Sequence, residues 1–197
     1  MEIENNKEQV PFEHYEGLFR GADAGEMAER TGAKWDGEKF YVNLLGTQYV
    51  ISHPEYTIAP GCVLPMQTFL LRYLLEGKAV AWGGQWKTFR EMPWGELYIK
   101  PYTGRVLTRA AFTFGTRGEA FAAACEKMGA TKLGSGDAGY EFDFLGGYKM
   151  RILVWAGDDE FPPNAQVLYS DNFENGFQPE DRVVAGDILI SVIKGNM

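Results

Sequence analysis

Cysteine and histidine are the scarcest chemistry in this 197-residue chain, with two of each. Cys62 and Cys125 stand far apart with no CxxC pair, and structural zinc needs four Cys/His ligands in two close pairs. No zinc or iron–sulfur site is therefore expected, and no disulfide framework, which agrees with a reducing cytoplasm. Any Ser/His/Asp or Cys/His centre must use His14 or His53. No apolar run approaches the roughly 20 residues of a membrane span, so no membrane contact is expected. The polar start MEIENNKEQV carries no signal or transit pattern, and a cytoplasmic location follows. Basic charge is also short: 19 Lys+Arg face 27 Asp+Glu, a formal charge of −8. Nucleic acid is not an expected partner, because phosphate binding needs a cationic surface. Internal repeats and low-complexity tracts are missing, and no composition break marks a linker.

What is present describes a soluble globular protein, 45% hydrophobic and 14% aromatic, long enough to bury a core. Residues 1–10 form a polar start, expected to be flexible. Pro11 to Arg20 predicts a short helix. Asp23 caps a second one, which Gly32 stops. Asp36-Gly37 centres a turn. The period then becomes two: Phe40, Val42 and Leu44 alternate with Tyr41 and Asn43, and QYVIS follows Gly46-Thr47 as the return strand of a hairpin. MQTFLLRYLLEG is the clearest helix, with Met66, Leu70, Tyr73 and Leu74 on one face and Phe69 beside them. Residues 79–105 read as irregular, with LYIK as a strand. TRGEAFAAACEKMG is a good helix. Tyr140, Phe142 and Phe144 alternate with Glu141 and Asp143 and predict one buried and one wet strand face. MRILVWA reads as a nearly continuous apolar strand, QVLYS as another, and PEDRVVAGDILISVIK as a closing helix. The expected fold is α+β: a mixed or antiparallel sheet with β-hairpins, packed by three to five helices in a single domain over 1–197.

Four segments resemble a known family: LLGTQYVISHPE, QTFLLRYLLEGKAVAWGGQWKTFREMPWG, GSGDAGYEFDFL and VWAGDDEFPPNAQVLYSDNFENGFQPED. In order and spacing, residues from about 35 to 193 resemble an uncharacterised bacterial and archaeal family, described only as a domain of unknown function. Some of its members carry an additional Cys-rich, iron–sulfur-type segment. This chain lacks that segment, so the resemblance implies no cluster here. It implies no activity either.

Several groups of residues invite a function. Gly134-Ser135-Gly136-Asp137-Ala138-Gly139 matches GxGxxG, but a dinucleotide site needs a strand before the motif and a helix after it. Here the order is reversed, which leaves a loop with positive φ angles or a backbone nest for an anion. Asp158-Asp159-Glu160 is the sharpest acidic feature, and Asp171 follows the next strand. On neighbouring strands these carboxylates would converge at one sheet edge, to hold Mg²⁺ or Ca²⁺ or to do acid–base work, with Asp137 nearby. The bland alternative is a solvated turn. His53, at a strand end, is a candidate proton carrier or an ordinary loop histidine. Cys62, in a loop, is the better of the two cysteines for reactivity, with no role assigned.

The segment AWGGQWKTFREMPWGELYIKPYTGR sets Trp82, Trp86 and Trp94 among Lys87, Arg90 and Arg105, locally +2 within a −8 chain. An aromatic-lined cationic hollow would bind a planar or anionic small molecule, with Trp86, Arg90 and Trp94 lining it. Against this, tryptophans usually supply burial first. The leading expectation is a non-enzymatic accessory or small-ligand-binding domain. The alternatives are a metal-assisted hydrolase-type enzyme using Asp158, Asp159, Glu160 and Asp171, and a protein-interaction module with an exposed aromatic patch. The sequence identifies neither a cofactor nor a protein partner.

Overall fold

Turn and cap chemistry sets the element boundaries in the computed structural model, which describes residues 6–197. The contacts gather into two compact units, one ending at Ala79 and one starting at Val80. The first unit opens with helices α1 (Asn6–Gly21) and α2 (Ala24–Thr31). Residues 6–10 thus belong to a helix, and the expectation for residues 1–5 lies outside the described residues. Asp23 caps α2 by accepting from the Glu26 N–H at 2.9 Å, and Gly32 closes it at φ 69°. Strands β1 (Lys34–Trp35), β2 (Lys39–Leu44), β3 (Thr47–Ser52) and β4 (Thr57–Ala59) pair antiparallel in that order. The β2–β3 hairpin turns on Leu45-Gly46, both at positive φ, one residue earlier than the sequence suggests. Helix α3 (Leu64–Glu76) buries Met66, Phe69, Leu70, Tyr73 and Leu74, the face its spacing predicts. Arg30 closes its C-terminal end, donating to the carbonyls of Leu74, Leu75 and Gly77 at 2.6–3.1 Å. A cation there meets the negative end of the helix dipole.

The second unit begins with strand β5 (Trp86–Thr88) and a 3₁₀ turn at Phe89–Glu91. Helix α4 (Gly95–Tyr102), a π-helical turn (Thr103–Thr108) and helix α5 (Arg109–Phe114) then run on without a break. LYIK therefore lies in a helix and not in a strand. Tertiary packing overrides local propensity here: Tyr102, Val106, Ala110 and Phe114 are all at most 1% exposed. After α6 (Gly118–Lys127) come β6 (Thr131–Leu133), β7 (Ala138–Leu145), β8 (Tyr148–Trp155) and β9 (Asn164–Ser170). Within this unit the strands pair antiparallel in the order β6-β7-β8-β9-β5. The short α7 (Phe173–Gly176) and the long α8 (Pro179–Gly195) end the chain. The α+β fold and antiparallel sheet are as expected. The eight α-helical segments of the described residues exceed the three to five expected, because the 79–105 stretch and its continuation are largely helical.

The sheet of the second unit has a dry and a wet face. Tyr140, Phe142 and Phe144 of β7 are buried, as are Met150, Ile152 and Val154 of β8 and Val167 and Tyr169 of β9. Their partners across the ladder, Tyr140 with Ile152 and Met150 with Tyr169, share that face. A single buried cation links the elements around it. Arg182, in the first turn of α8 and 3% exposed, donates to the carbonyls of Pro93, Glu174 and Phe177 at 2.8, 2.9 and 3.1 Å. Burial lowers its pKa from the ordinary guanidinium value, while nearby Glu174 and Asp181 oppose that shift.

Arg182→Met removes a donor set that satisfies three carbonyls, and buried acceptors left alone cost about 1–3 kcal/mol each. The expected loss is about 3 kcal/mol, read as a lower urea midpoint at unchanged slope. Arg182→Lys is expected to recover only part of it, since one ammonium cannot span the same fork.

Candidate functional site

Tryptophan, cation and carboxylate do meet in the second unit, but with different cations from those the sequence suggests. The Arg151 guanidinium lies 4.0 Å from the centre of the Trp86 ring, and Lys149 Nζ lies 5.7 Å from that of Trp82. The two indoles meet edge to face at 5.4 Å. Glu141 accepts from Arg151 Nε and Nη2 at 2.9 and 2.8 Å and from Lys149 Nζ at 3.2 Å. Asp143 takes Lys149 at 2.9 Å, and its hydrogen bond is the leading reason the Lys149 ammonium holds its proton above the ordinary range. Glu141, Asp143, Lys149, Arg151 and Trp86 form the wet face of β7, β8 and β5, opposite the aromatic core, and Trp82 joins them from the loop before β5.

Trp86, Arg90 and Trp94 occupy three separate settings. Trp86 has one ring face covered by Arg151. Arg90, in the 3₁₀ turn, is tied to Glu96 through two bonds of 2.7 and 3.2 Å, both side chains being exposed. That pairing raises the guanidinium pKa and lowers that of the carboxyl. Trp94 holds φ 66° just before α4 and is 67% exposed. Sequence reasoning missed Arg151 because MRILVWA reads as continuous apolar strand. The signal was its position two residues beyond Lys149, opposite Glu141 on the paired strand.

The acidic residues do not converge, and topology gives the reason. β8 and β9 are neighbours, but antiparallel. Asp158 follows the end of β8 and Asp171 the end of β9, so they sit at opposite ends of a ladder about 20 Å long. Each has local work. Asp158 Oδ1 accepts from the Glu160 and Phe161 N–H groups at 2.9 and 2.7 Å, bonds that hold its carboxyl below the usual range. Asp171 accepts from Gly83 N at 2.8 Å and Gln85 N at 3.2 Å and so fastens the Trp82 loop. Asp159 and Glu160 are exposed on the turn. Among the described residues no three His, Cys, Asp or Glu side chains gather to hold a metal ion.

His53 belongs to the first unit. Its Nε2 lies 3.0 Å from the Phe19 carbonyl, and its ring meets Phe19 edge-on at 4.9 Å. It packs as a half-buried aromatic. Both cysteines are free. Burial pushes the Cys62 thiol up to about 11 and the Cys125 thiol, with some help from Glu126, to about 12. Neither is an activated nucleophile.

Asp137 is a sequence candidate that the fold brings to a hollow. Oδ2 accepts from Ala156 N at 2.8 Å, and the Asp137 N–H donates to the Val154 carbonyl at 3.0 Å. The GxGxxG loop is thus stitched to the end of β8, with Gly136 at φ 74° letting the two backbones approach. Beside it opens a cavity of about 220 Å³. Gly115, Gly118, Ala122, Ala138 and Ala156 give it its accessible apolar lining, over a floor of buried Phe114, Tyr140 and Val154. Glu119 from α6, Lys132 from β6 and Asp137 supply its charges. The floor is rigid: Phe114 stacks on Phe121 at 4.8 Å, Phe121 meets Tyr140 edge-on at 5.6 Å, and the Tyr140 hydroxyl donates to Glu126 at 3.2 Å.

An antiparallel α+β fold with a small cavity at its strand ends defines a class broader than any one activity. The chain belongs to the family described as a domain of unknown function (DUF3786), whose profile matches residues 23–192. No curated protein and no solved structure matches it. Among the described residues no helix is long and apolar enough to cross a membrane.

The thiols give a pH prediction. A thiol or phenol whose pKa is raised on folding leaves stability intact below its ordinary value and removes it as pH climbs through the raised one. For Cys62 and Cys125 the window runs from about 9 to about 11 and 12, and for Tyr148 from about 10 to about 12. Urea midpoints are expected to hold steady up to about pH 8.5 and fall above it. At pH 8 both thiols are expected to resist a disulfide reagent in the native state and to react on unfolding.

Proposed function

We propose that this chain is a non-enzymatic small-ligand-binding domain and that its ligand occupies the 220 Å³ cavity framed by α5, α6, β7 and β8. The observation that supports this is an apolar, alanine-lined hollow bordered by three ionisable side chains from separate elements, the usual composition of a ligand site. The volume lies below the roughly 300–1,000 Å³ of drug-sized pockets, so the ligand is a small metabolite. The residues lining it include no histidine or cysteine, which favours binding over nucleophilic catalysis. This reading moves the ligand away from Trp86, Arg90 and Trp94, whose partners are side chains of the protein itself or, for Trp94, solvent. The two free thiols suit a cytoplasmic setting, and the −8 charge suits a small molecule better than a nucleic acid as partner.

A thermal-shift screen of amino acids, short carboxylic acids, primary amines and nucleosides tests it. At a hundredfold excess over Kd a true ligand adds about 2.7 kcal/mol, roughly 5–10 °C in Tm. Ala122→Phe and Gly118→Leu are expected to fill the cavity and cancel the shift. At Gly118 a new Cβ meets no atom within 4 Å, so that variant keeps the fold. A flat screen, or a shift that survives both variants, overturns the reading.

A further inference from the structure

The charges around the cavity are arranged in a way that selects among small metabolites. The Lys132 and Glu119 side chains have no hydrogen bond or ion pair with the protein among the described residues, although each lines the hollow. On the wet face of the same sheet, by contrast, Lys149 and Arg151 are both matched by carboxylates. Asp137 commits only Oδ2 to the backbone, and Oδ1 is left to the solvent side.

The sign and placement of these groups follow from the fold. Lys132 stands directly opposite Tyr140 in the β6–β7 ladder, so its side chain rises on the same face as the aromatic floor. Glu119 and Ala122 are three residues apart on α6 and share the face that overhangs the cavity. One cation and two carboxylates, contributed by different elements, thus border one apolar surface. A simple carboxylic acid would answer Lys132 and leave two carboxylates facing its own charge. A simple amine would answer the carboxylates and leave Lys132 unmatched. A molecule carrying both charges on one carbon, with an aliphatic body, satisfies all three sides.

Building on the binding reading above, we propose that the ligand is a free aliphatic α-amino acid. Its carboxylate pairs with Lys132, its ammonium with Glu119 and Asp137 Oδ1, and its side chain rests on Ala122, Ala138 and Ala156.

Calorimetry on the full chain compares L-leucine with its two half-analogues, 4-methylpentanoate and 3-methylbutylamine. Leucine is expected to bind at least tenfold tighter than either. Lys132→Met should weaken leucine at least tenfold and should not weaken the amine. Glu119→Gln should weaken leucine and the amine and should not weaken the acid. Both side chains are exposed, so an unchanged Tm without ligand confirms that the variants fold. Equal affinity for leucine and either half-analogue overturns the amino-acid assignment and leaves the cavity reading standing. Silence to all three, with a hit from another class in the wider screen, does the same. Silence across the whole screen overturns both.

Discussion

Side-chain alternation along three paired strands is the constraint on which the second unit depends. In β7, β8 and β9 every second residue faces the aromatic core and the residues between face the charged layer. Tyr140 and Val154 can form a cavity floor only because Glu141 and Arg151 turn the other way. A slip of one residue in the β7–β8 register would turn one strand over against the other, driving Glu141 inward and exposing Tyr140 and Phe142, or driving Arg151 inward and exposing Ile152. The register is therefore held from both sides: by aromatic packing beneath, and by the Glu141–Arg151–Trp86 stack above.

Around Arg182 the buried polar groups of the second unit are paired with one another. The Tyr169 hydroxyl donates to the Arg182 carbonyl at 3.0 Å and lies 3.3 Å from the Tyr102 hydroxyl, whose ring stacks on Phe89 at 4.1 Å. Desolvation keeps both phenols protonated far above their usual range. Arg182 adds carbonyls from three places in the sequence to this cluster. The result is a fixed joint where α4, α7, α8 and β9 meet, at a distance from the cavity in sequence but in the same unit.

Much of the fold is legible in the residues because local chemistry decides it. Asp23 and Gly32 bracket α2, Pro65 and Gly77 bracket α3, and the strict alternation of YEFDF foretells a two-faced strand. Residues 95–114 are not legible in that way. Pro101 and Gly104 read as helix breakers, and the buried stripe Tyr102, Val106, Ala110, Phe114 recurs at four residues, a spacing that drifts about 40° per step around an α-helix. The cavity was legible at a single residue, Asp137, and for a different reason. Glu119, Lys132, Phe114 and Tyr140 come from four elements, and only the sheet register and the α6 overhang bring them together. The acidic cluster failed for the complementary reason: adjacency of two strands says nothing of which ends coincide until their direction is known.

The π-helical turn at Thr103–Thr108 resolves the misfit of that stripe, since its wider winding absorbs the drift and keeps Val106, Ala110 and Phe114 on the sheet. The same turn places Arg105 and Arg109 on one row, where both reach Asp187 of α8. Loss of one residue between Thr103 and Thr108 would tighten the turn to an ordinary helix and leave the segments on either side close to their present phase, so the disturbance would fall on the turn itself, at buried Val106 and at Arg105.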